Sequence, residues 1–306
     1  MLIIGENIHI ISPRVKKAVA DRDAEAIQGM ASLQVEHGAD MIDLNIGPQK
    51  RRGVEIMDWI VDAVQEVTDV PLSLDTTNMA AIETGLKKVK RQAMINSTSA
   101  DPERLNTGLP LAAKYNAKII ALTMGKSGIP TTAEGRVEIA MEVLIPKAME
   151  LGIPMEDLYL DPLVMTVNGT QEHAPETLNA VRFFKQLTDP PPMSVVGLSN
   201  VSNSVPHENR SLINRTYVVM LMAAGLDAAI ADPLDGKLSE YIRIVEERDT
   251  STGLGNLLVT LYDKTAAMED LEPSDVDMSD PEQVDVWKTV QILHNKVIYA
   301  HSYLRM

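Results

Sequence analysis

Short apolar runs alternate with amphipathic stretches at a steady spacing along this chain. Eight runs read as strands: LIIGEN (2–7), MIDLNIG (41–47), PLSLDT (71–76), AMINSTS (93–99), KIIALTM (118–124), LYLDPLV (158–164), SVVGLSN (194–200) and AAIADP (228–233). Their centres are nearly continuous in apolar residues, as strands covered on both faces must be. The stretches between them have helical spacing. Ile56, Trp59, Ile60, Ala63, Val64 and Val67 share one face of a helix over 54–67, and Val137, Ala140, Met141, Leu144, Ala148 and Leu151 share one over 137–151. Pro146 predicts a kink in the second. Gly38 and Gly152 stand where C-caps belong, and a last apolar face runs through Val286, Val290, Leu293 and Val297.

Eight βα units with right-handed crossovers predict a closed (β/α)₈ TIM barrel. The competing architecture, an open doubly wound sheet, usually carries a Gly-rich phosphate turn after its first strand, and GENIHIIS is not one. The chain has 306 residues, which suits a single domain over 1–306, since such barrels take roughly 250 residues plus insertions. The rhythm breaks once. Between strand eight and the last helix stands an insertion over 236–281, with one helix and then the tract EDLEPSDVDMSDPE, which has no basic residue and reads as an exposed acidic loop.

Composition narrows the chemistry. The absence of cysteine excludes disulfides, thiolate metal sites and cysteine nucleophiles. The net charge of −15 repels phosphate backbones and argues against nucleic acid as a partner. The N-terminal MLIIGENIHI has no basic n-region, and no apolar run approaches the roughly 20 residues of a membrane span, so a cytoplasmic location is expected. Seventeen methionines and two phenylalanines describe a soft aliphatic core.

Active sites of such barrels form at the C-terminal strand ends. Those ends carry Glu6 and Asn7, Asp43 and Asn45, Asp75, Asn96, Thr123, Asp161, Ser199 and Asn200, and Asp232. This ring of carboxylates and carboxamides has hardly a cation in it. Aspartates accept hydrogen bonds and carboxamides do both, which suits a neutral, flat heterocycle with N–H donors and a carbonyl. A phosphorylated or carboxylated substrate needs Arg, Lys or a Gly-rich nest. The pterin head of folate presents the matching edge. Lysine is missing from the ring, which disfavours a Schiff-base aldolase. Asn7-Ile8-His9 supplies only one of the two histidines of an amidohydrolase centre, and GKS at 125–127 follows Ile120 where a P-loop needs glycine. A magnesium site built from Glu6, Asp43, Asp75 and Asp232 is the competing reading. Asp43 can equally cap a helix or bond a neighbouring strand, and Glu6 and Asp232 can serve internal barrel hydrogen bonds. Asp75 and Asp161 end apolar strands (LSLD, LYLD), where a carboxylate without a partner is costly. His173 and His207 read as surface residues in loops, and Met124 and Met165 as packing.

LIIGEN, DLNIGP at 43–48, LDTTN at 74–78, MINSTS at 94–99, LTMGKSGIP at 122–130, MEDLYLDPL at 155–163, VVGLSNVSN at 195–203 and LINRTYVVMLMAAGLDAAIAD at 212–232 together resemble the methyltetrahydrofolate:corrinoid protein methyltransferases. That family is kin to the pterin-binding domain of cobalamin-dependent methionine synthase and, more distantly, to dihydropteroate synthase. The resemblance implies a homodimeric barrel that binds tetrahydrofolate or 5-methyltetrahydrofolate, with the corrinoid supplied by a partner protein and no bound metal. Asp75, Asn96 and Asp161 match the residues that bond the pterin ring. Asn200 matches the asparagine near the reacting N5, and Gly197, Ser199 and Asn203 line the same region. The chain departs from the family in Asn203, where close relatives have glutamine, and in Asn7, where arginine is more usual. The segment SNSVPHENR is longer than the family pattern, which leaves Arg210 without an assigned role.

A methyl group on a tertiary amine leaves poorly, so N5 must gain a proton or a strong hydrogen bond as the group departs. No histidine, lysine or tyrosine stands at a motif position as an acid. Asn200 is therefore the expected electrophilic helper, with Asp75 orienting it or a water. A dihydropteroate synthase-like condensing enzyme, which needs basic groups for a diphosphate, and a non-catalytic pterin-binding module are the alternatives.

Overall fold

In the computed structural model, residues 1–305 are described; Met306, the last residue of the expected domain, lies outside them. Eight parallel strands close into a barrel in sequence order: β1 Leu2–His9, β2 Met41–Asn45, β3 Leu72–Asp75, β4 Met94–Ser99, β5 Lys118–Leu122, β6 Leu158–Asp161, β7 Met193–Gly197 and β8 Ala228–Ala231. β1 pairs with both β2 and β8, which closes the ring and rules out the open sheet. The predicted strands correspond one to one. Six of them stop one to three residues early at the C-terminal end, β4 ends at Ser99 as expected, and β1 runs two residues longer and shifts register between Gly5 and Ile8.

The outer layer comprises α1 Pro13–Asp21, α2 Ala24–Glu36, α3 Gly53–Gln65, α4 Met79–Leu86, α5 Pro102–Tyr115, α6 Ala133–Ile139, α7 Ile145–Glu150, the short α8 Val167–Thr170, α9 His173–Phe184, α10 His207–Ala223, α11 Gly236–Glu247, α12 Gly253–Ala266 and α13 Pro281–Leu293. The kink expected at Pro146 takes the form of a π-helical turn, Ala140–Leu144, between α6 and α7. A proline has no N–H and clashes with the carbonyl four residues back, and a wider turn relieves both. That extra residue rotates the apolar face and leaves Met141 46% exposed rather than buried. Val67 and Val297 are also exposed, because α3 ends at Gln65 and α13 at Leu293, short of both. Gly38 and Gly152 do terminate helices in the left-handed region, at φ 92° and 71°.

Strand periodicity positions the site. Ile4, Met41, Met94, Ile120, Tyr159, Val195 and Ala228 form one buried cluster inside the barrel, drawn from seven strands. Side chains two residues apart on a strand share a face. Two residues further on therefore stand Glu6, Asp43, Asn96, Asp161 and Gly197, with Asp75 two beyond Ser73, the register partner of Met94. An apolar plug thus fills the barrel's lower half, and the next layer toward the C-terminal face is largely polar, with Leu122 and Ile230 its apolar members.

The segment 236–281 corrects the expectation of an exposed loop with one helix. It folds as α11 and α12, whose Leu238, Tyr241, Leu257, Leu258 and Leu261 are buried in the same apolar cluster as Val218 and Leu221 of α10. The acidic tract connects α12 to α13, anchored by buried Leu271 and Val276. Its acids largely serve local structure: Asp270 pairs with Lys296 and Asp275 with Lys264, both at 2.5 Å, and Asp280 caps α13 through the Glu282 N–H.

Candidate functional site

Three adjacent strand ends build one wall. The registers Asn45↔Asp75 and Asp75↔Asn96 set these side chains side by side across β2, β3 and β4. Asn45 Nδ2 donates to Asp75 Oδ2. Two residues before Asn45 on β2, the buried Asp43 accepts from Ser73 Oγ at 2.6 Å and from Asn96 Nδ2 at 3.1 Å. Asp43 thus bonds a neighbouring strand, as one of its two sequence readings held, and it fixes the Asn96 amide. Burial raises Asp43 above the usual carboxylate range against the pull of these two donors. Asp75 is raised too, first by loss of water and second by the nearby Asp43 charge, with Arg104 and Asn45 opposing.

Across the barrel, Asp161 ends β6 and is buried. Its Oδ1 accepts from the Leu163 N–H at 2.7 Å. Burial pushes its pKa up to about 7, while that backbone bond and the Arg136 charge pull it down. A further group of residues comes from β1, β7 and β8. Ser199 Oγ donates to Glu6 Oε1 at 2.5 Å, and Asn7 Nδ2 donates to Asp232 Oδ1 at 2.9 Å. Burial also pushes Glu6 up to about 7; the Ser199 bond lowers it, the Asp232 and Asp43 charges raise it, and Arg210 lowers it. Ser199 and Asn200 are not on β7 but in the 3₁₀ turn Leu198–Ser202 that follows. Within that turn Asn203 Nδ2 donates to Asn200 Oδ1 at 3.1 Å, which orients the Asn200 amide and leaves its Nδ2 without a partner in this turn. Gly197 leaves room for this placement of the Asn200 side chain, whose Nδ2 would lie 2.8 Å from a Cβ at that position. Arg210 donates to Ser202 Oγ at 3.2 Å, so α10 ties its first turn to the same loop.

A pterin binding enzyme family model matches residues 12–232. The chain belongs to the pterin binding enzymes. A methylcorrinoid:tetrahydrofolate methyltransferase of Eubacterium limosum is 30% identical over 237 residues, covering 76% of this chain and 85% of that protein. The methionine synthases of Mycobacterium leprae and Mycobacterium tuberculosis are each 28% identical over 258 residues, 81% of this chain but 21% of either relative. The chain therefore spans about a fifth of the length of those two synthases. The family resemblance carried by the strand-end motifs is shown by these matches.

For a pterin-binding enzyme the cavity is apt in sign. Carboxylates and carboxamide oxygens dominate it, and the buried Asn7 Oδ1 has no hydrogen-bond partner among the described residues. Acceptors left open at a buried site call for a ligand rich in N–H groups. The motif residues Asp75 and Asn96 stand together, Asp161 sits apart on β6, and Ser199 and Asn200 share one turn flanked by Gly197 and Asn203. Asp75 bonds Asn45 and Asn200 bonds Asn203, so the two expected catalytic residues each have a carboxamide partner rather than one another. The internal bonds foreseen for Glu6 and Asp232 are present as well.

Two features were missed in the sequence. His173 is buried rather than a surface loop residue, because it opens α9 and packs on Arg136. Arg136 itself is fully buried. The signal was there: Arg136 stands at helical spacing from the apolar Ala133 and Ala140, on the inward face.

The cation reading of Glu6, Asp43, Asp75 and Asp232 competes with the hydrogen bonds these carboxylates already make. Each is already engaged by a neutral donor, and no group of three or more His, Asp or Glu among the described residues could hold a metal. We therefore expect exhaustive chelation to leave tetrahydrofolate binding and turnover unchanged. Activity lost on chelation and restored by magnesium would assign these aspartates to a cation instead.

Proposed function

We propose that this barrel moves a methyl group between N5 of tetrahydrofolate and the corrinoid of a separate protein. The observation that carries this reading is the Asn200 amide. Its oxygen is held by Asn203, and its Nδ2 is the free end of a side chain fixed over Gly197 in the turn after β7. In this reading Asp161 and Asp75 accept from the N–H groups of the pterin edge, Asn96 bonds the ring, and Gly197 and Ser199 line the N5 side. The partner's corrinoid supplies the cobalt centre that takes or gives the methyl group. Asn200 Nδ2 donates to N5, weakly while N5 carries a methyl and more strongly as the pair of the breaking N5–CH₃ bond returns to nitrogen. A bond that strengthens along the reaction lowers the barrier rather than the Michaelis constant. Ser199, next to Asn200 in sequence, donates to the Glu6 carboxyl, whose raised pKa suits it to hold a proton near neutral pH on this side of the site.

Asn200→Ala should accordingly reduce kcat by about tenfold or more while tetrahydrofolate affinity changes by less, the mark of help given only in the transition state. Equal losses in both, or a loss in affinity alone, would remove Asn200 from the reaction. A condensing enzyme of the dihydropteroate synthase kind is separated by assaying diphosphate-dependent turnover, for which no product is expected. A non-catalytic module would bind tetrahydrofolate and transfer no methyl to any corrinoid.

We propose that the acidic connection between α12 and α13, whose Glu269 and Glu272 are exposed, contributes to electrostatic capture of the corrinoid protein. Because α11 and α12 carry core residues, removing 237–280 would expose buried apolar area and unfold part of the outer layer, so point changes are the usable test. Glu269→Gln with Glu272→Gln, both exposed, should raise the Michaelis constant for the corrinoid protein at low salt, with the difference vanishing near 1 M salt. An unchanged constant at low salt would dismiss the tract from docking. Homodimer formation is part of the same proposal and is read by light scattering.

A further inference from the structure

Arg136 is the largest fully buried side chain of the protein. A guanidinium is charged at every working pH, and burying one is costly unless charge or hydrogen bonds compensate. Its three side-chain hydrogen bonds all go to neutral acceptors. Nε donates to the Pro130 carbonyl at 3.3 Å, Nη1 to Thr177 Oγ1 at 2.9 Å and Nη2 to His173 Nδ1 at 3.0 Å. The positive charge is therefore held in place without being neutralised by any group it touches.

The same cluster packs against the turn that holds Asp161. Thr177 Oγ1 donates to the His173 carbonyl at 3.0 Å and lies 3.5 Å from the Leu163 carbonyl, and the Leu163 N–H donates to Asp161 Oδ1 at 2.7 Å. Leu163 has φ 68°, in the left-handed region that a branched side chain enters only at a cost of order 1 kcal/mol or more. That conformation turns its N–H back onto the carboxylate. Glu176 fixes the two helices involved by accepting from the Ala133 N–H at the start of α6, at 2.7 Å. Arg136 of α6 is the charged group that acts on Asp161, and around Arg136 itself stand Glu176 and His173 of α9 and Tyr217 of α10. The neighbours of Asp161 on β5 are Leu122 and Thr123, and on β7 Val195, all neutral.

Resting on the reading of Asp161 as a pterin-edge acceptor, we propose that Arg136 is the positioning residue of this site: a buried, unneutralised charge behind β6 that keeps Asp161 ionised near neutral pH. Its field reaches the carboxylate through protein rather than water and so is little screened by salt. The direction agrees with the lowering influence of Arg136 on Asp161, set against the dominant effect of burial.

The test is the pH profile of tetrahydrofolate binding, measured by calorimetry on the full chain. Removing an opposite charge beside a carboxylate moves its midpoint by about one unit or more. Arg136→Gln should move the low-pH arm of the profile upward by about one unit, weakening binding about fivefold at pH 7 and restoring it by pH 9. Arg136→Lys keeps the charge and should keep the wild-type midpoint. His173→Gln, which retains an acceptor for Nη2, should keep it as well. In an Asp161→Asn background, Arg136→Gln should add no further loss at pH 7. A loss of equal size at every pH in Arg136→Lys or Arg136→Gln would make Arg136 a structural residue only and overturn the proposal, as would an undiminished effect without Asp161. Should Arg136→Gln not fold, the lysine variant still decides between a retained midpoint and a uniform loss. Wild-type protein that does not bind tetrahydrofolate at all would instead refute the reading on which this one rests.

Discussion

Asp161→Asn is expected to weaken tetrahydrofolate binding ten- to a hundredfold at pH 8. The substituted amide can still accept the Leu163 N–H through its oxygen, so the turn after β6 is preserved. What changes is the face toward the ligand, where a carboxylate oxygen becomes an NH₂ group opposing the N–H donors of the pterin edge. A hydrogen bond to a charged group is worth roughly 1.5–3 kcal/mol, and about 1.4 kcal/mol is a decade in affinity. The sign of the pH dependence follows from the raised pKa. The accepting form of Asp161 is the ionised one, which predominates above about pH 7. Wild-type affinity should therefore fall as pH drops below that value, and the variant should lose this part of the dependence. Calorimetry across pH 6 to 9 measures both. An affinity unchanged in Asp161→Asn and in Asp75→Asn would place the pterin edge elsewhere.

Asp75→Asn is expected to separate activity from stability. Loss of water and the Asp43 charge both raise Asp75 above its unfolded-state value. A group raised in this way contributes its stability at pH below the ordinary carboxylate range and loses it as pH rises toward the folded value. At pH 8 the wild-type protein without ligand therefore carries an unfavourable carboxylate pair in this wall. The asparagine variant removes one member, and its amide oxygen can still accept from Asn45 Nδ2. A gain of about 1 kcal/mol or more is expected at pH 8, about 2 °C or more in Tm for a chain of this size, and no gain near pH 4. Tetrahydrofolate binding and turnover should fall about tenfold or more together. Stability given up at a site in exchange for ligand affinity is the usual trade. Thermal denaturation at the two pH values decides. A lower Tm for the variant at pH 8 would make Asp75 an internal structural acceptor rather than a ligand group.

The barrel was legible because its strands are buried on both faces. Continuous apolar runs ending in a polar residue mark both the strand and the level at which the apolar plug stops, and Met41-Ile42-Asp43 and Leu158-Tyr159-Leu160-Asp161 show both at once. The site's outline followed, since periodicity two places Glu6, Asp43, Asn96 and Asp161 on the inward face of the same layer. The pairings were not legible. Which carboxamide serves which carboxylate depends on strand register, and Asn45 meets Asp75 only through the β2–β3 alignment. Nor does local pattern reveal that the chain leaves β7 in a 3₁₀ turn, so that Asn200 folds over Gly197 instead of extending the strand. The helices of 236–281 were underread because their apolar residues answer to α10, a partner distant in sequence. Arg136 was passed over because an arginine on an apolar helical face violates the binary pattern, and such violations are where sites tend to lie.

Methyl transfer with free corrinoid tests the central claim without knowledge of the partner protein. Tetrahydrofolate mixed with free methylcobalamin, and 5-methyltetrahydrofolate mixed with free cobalamin in its reduced, methyl-accepting state, are followed by the corrinoid's visible absorbance in the presence of the enzyme. Enzyme-dependent spectral change in at least one direction is expected, strongly reduced in Asn200→Ala and with the folate product confirmed by chromatography. Binding of tetrahydrofolate with no methyl transfer in either direction would contradict the account and leave a pterin-binding barrel without this reaction.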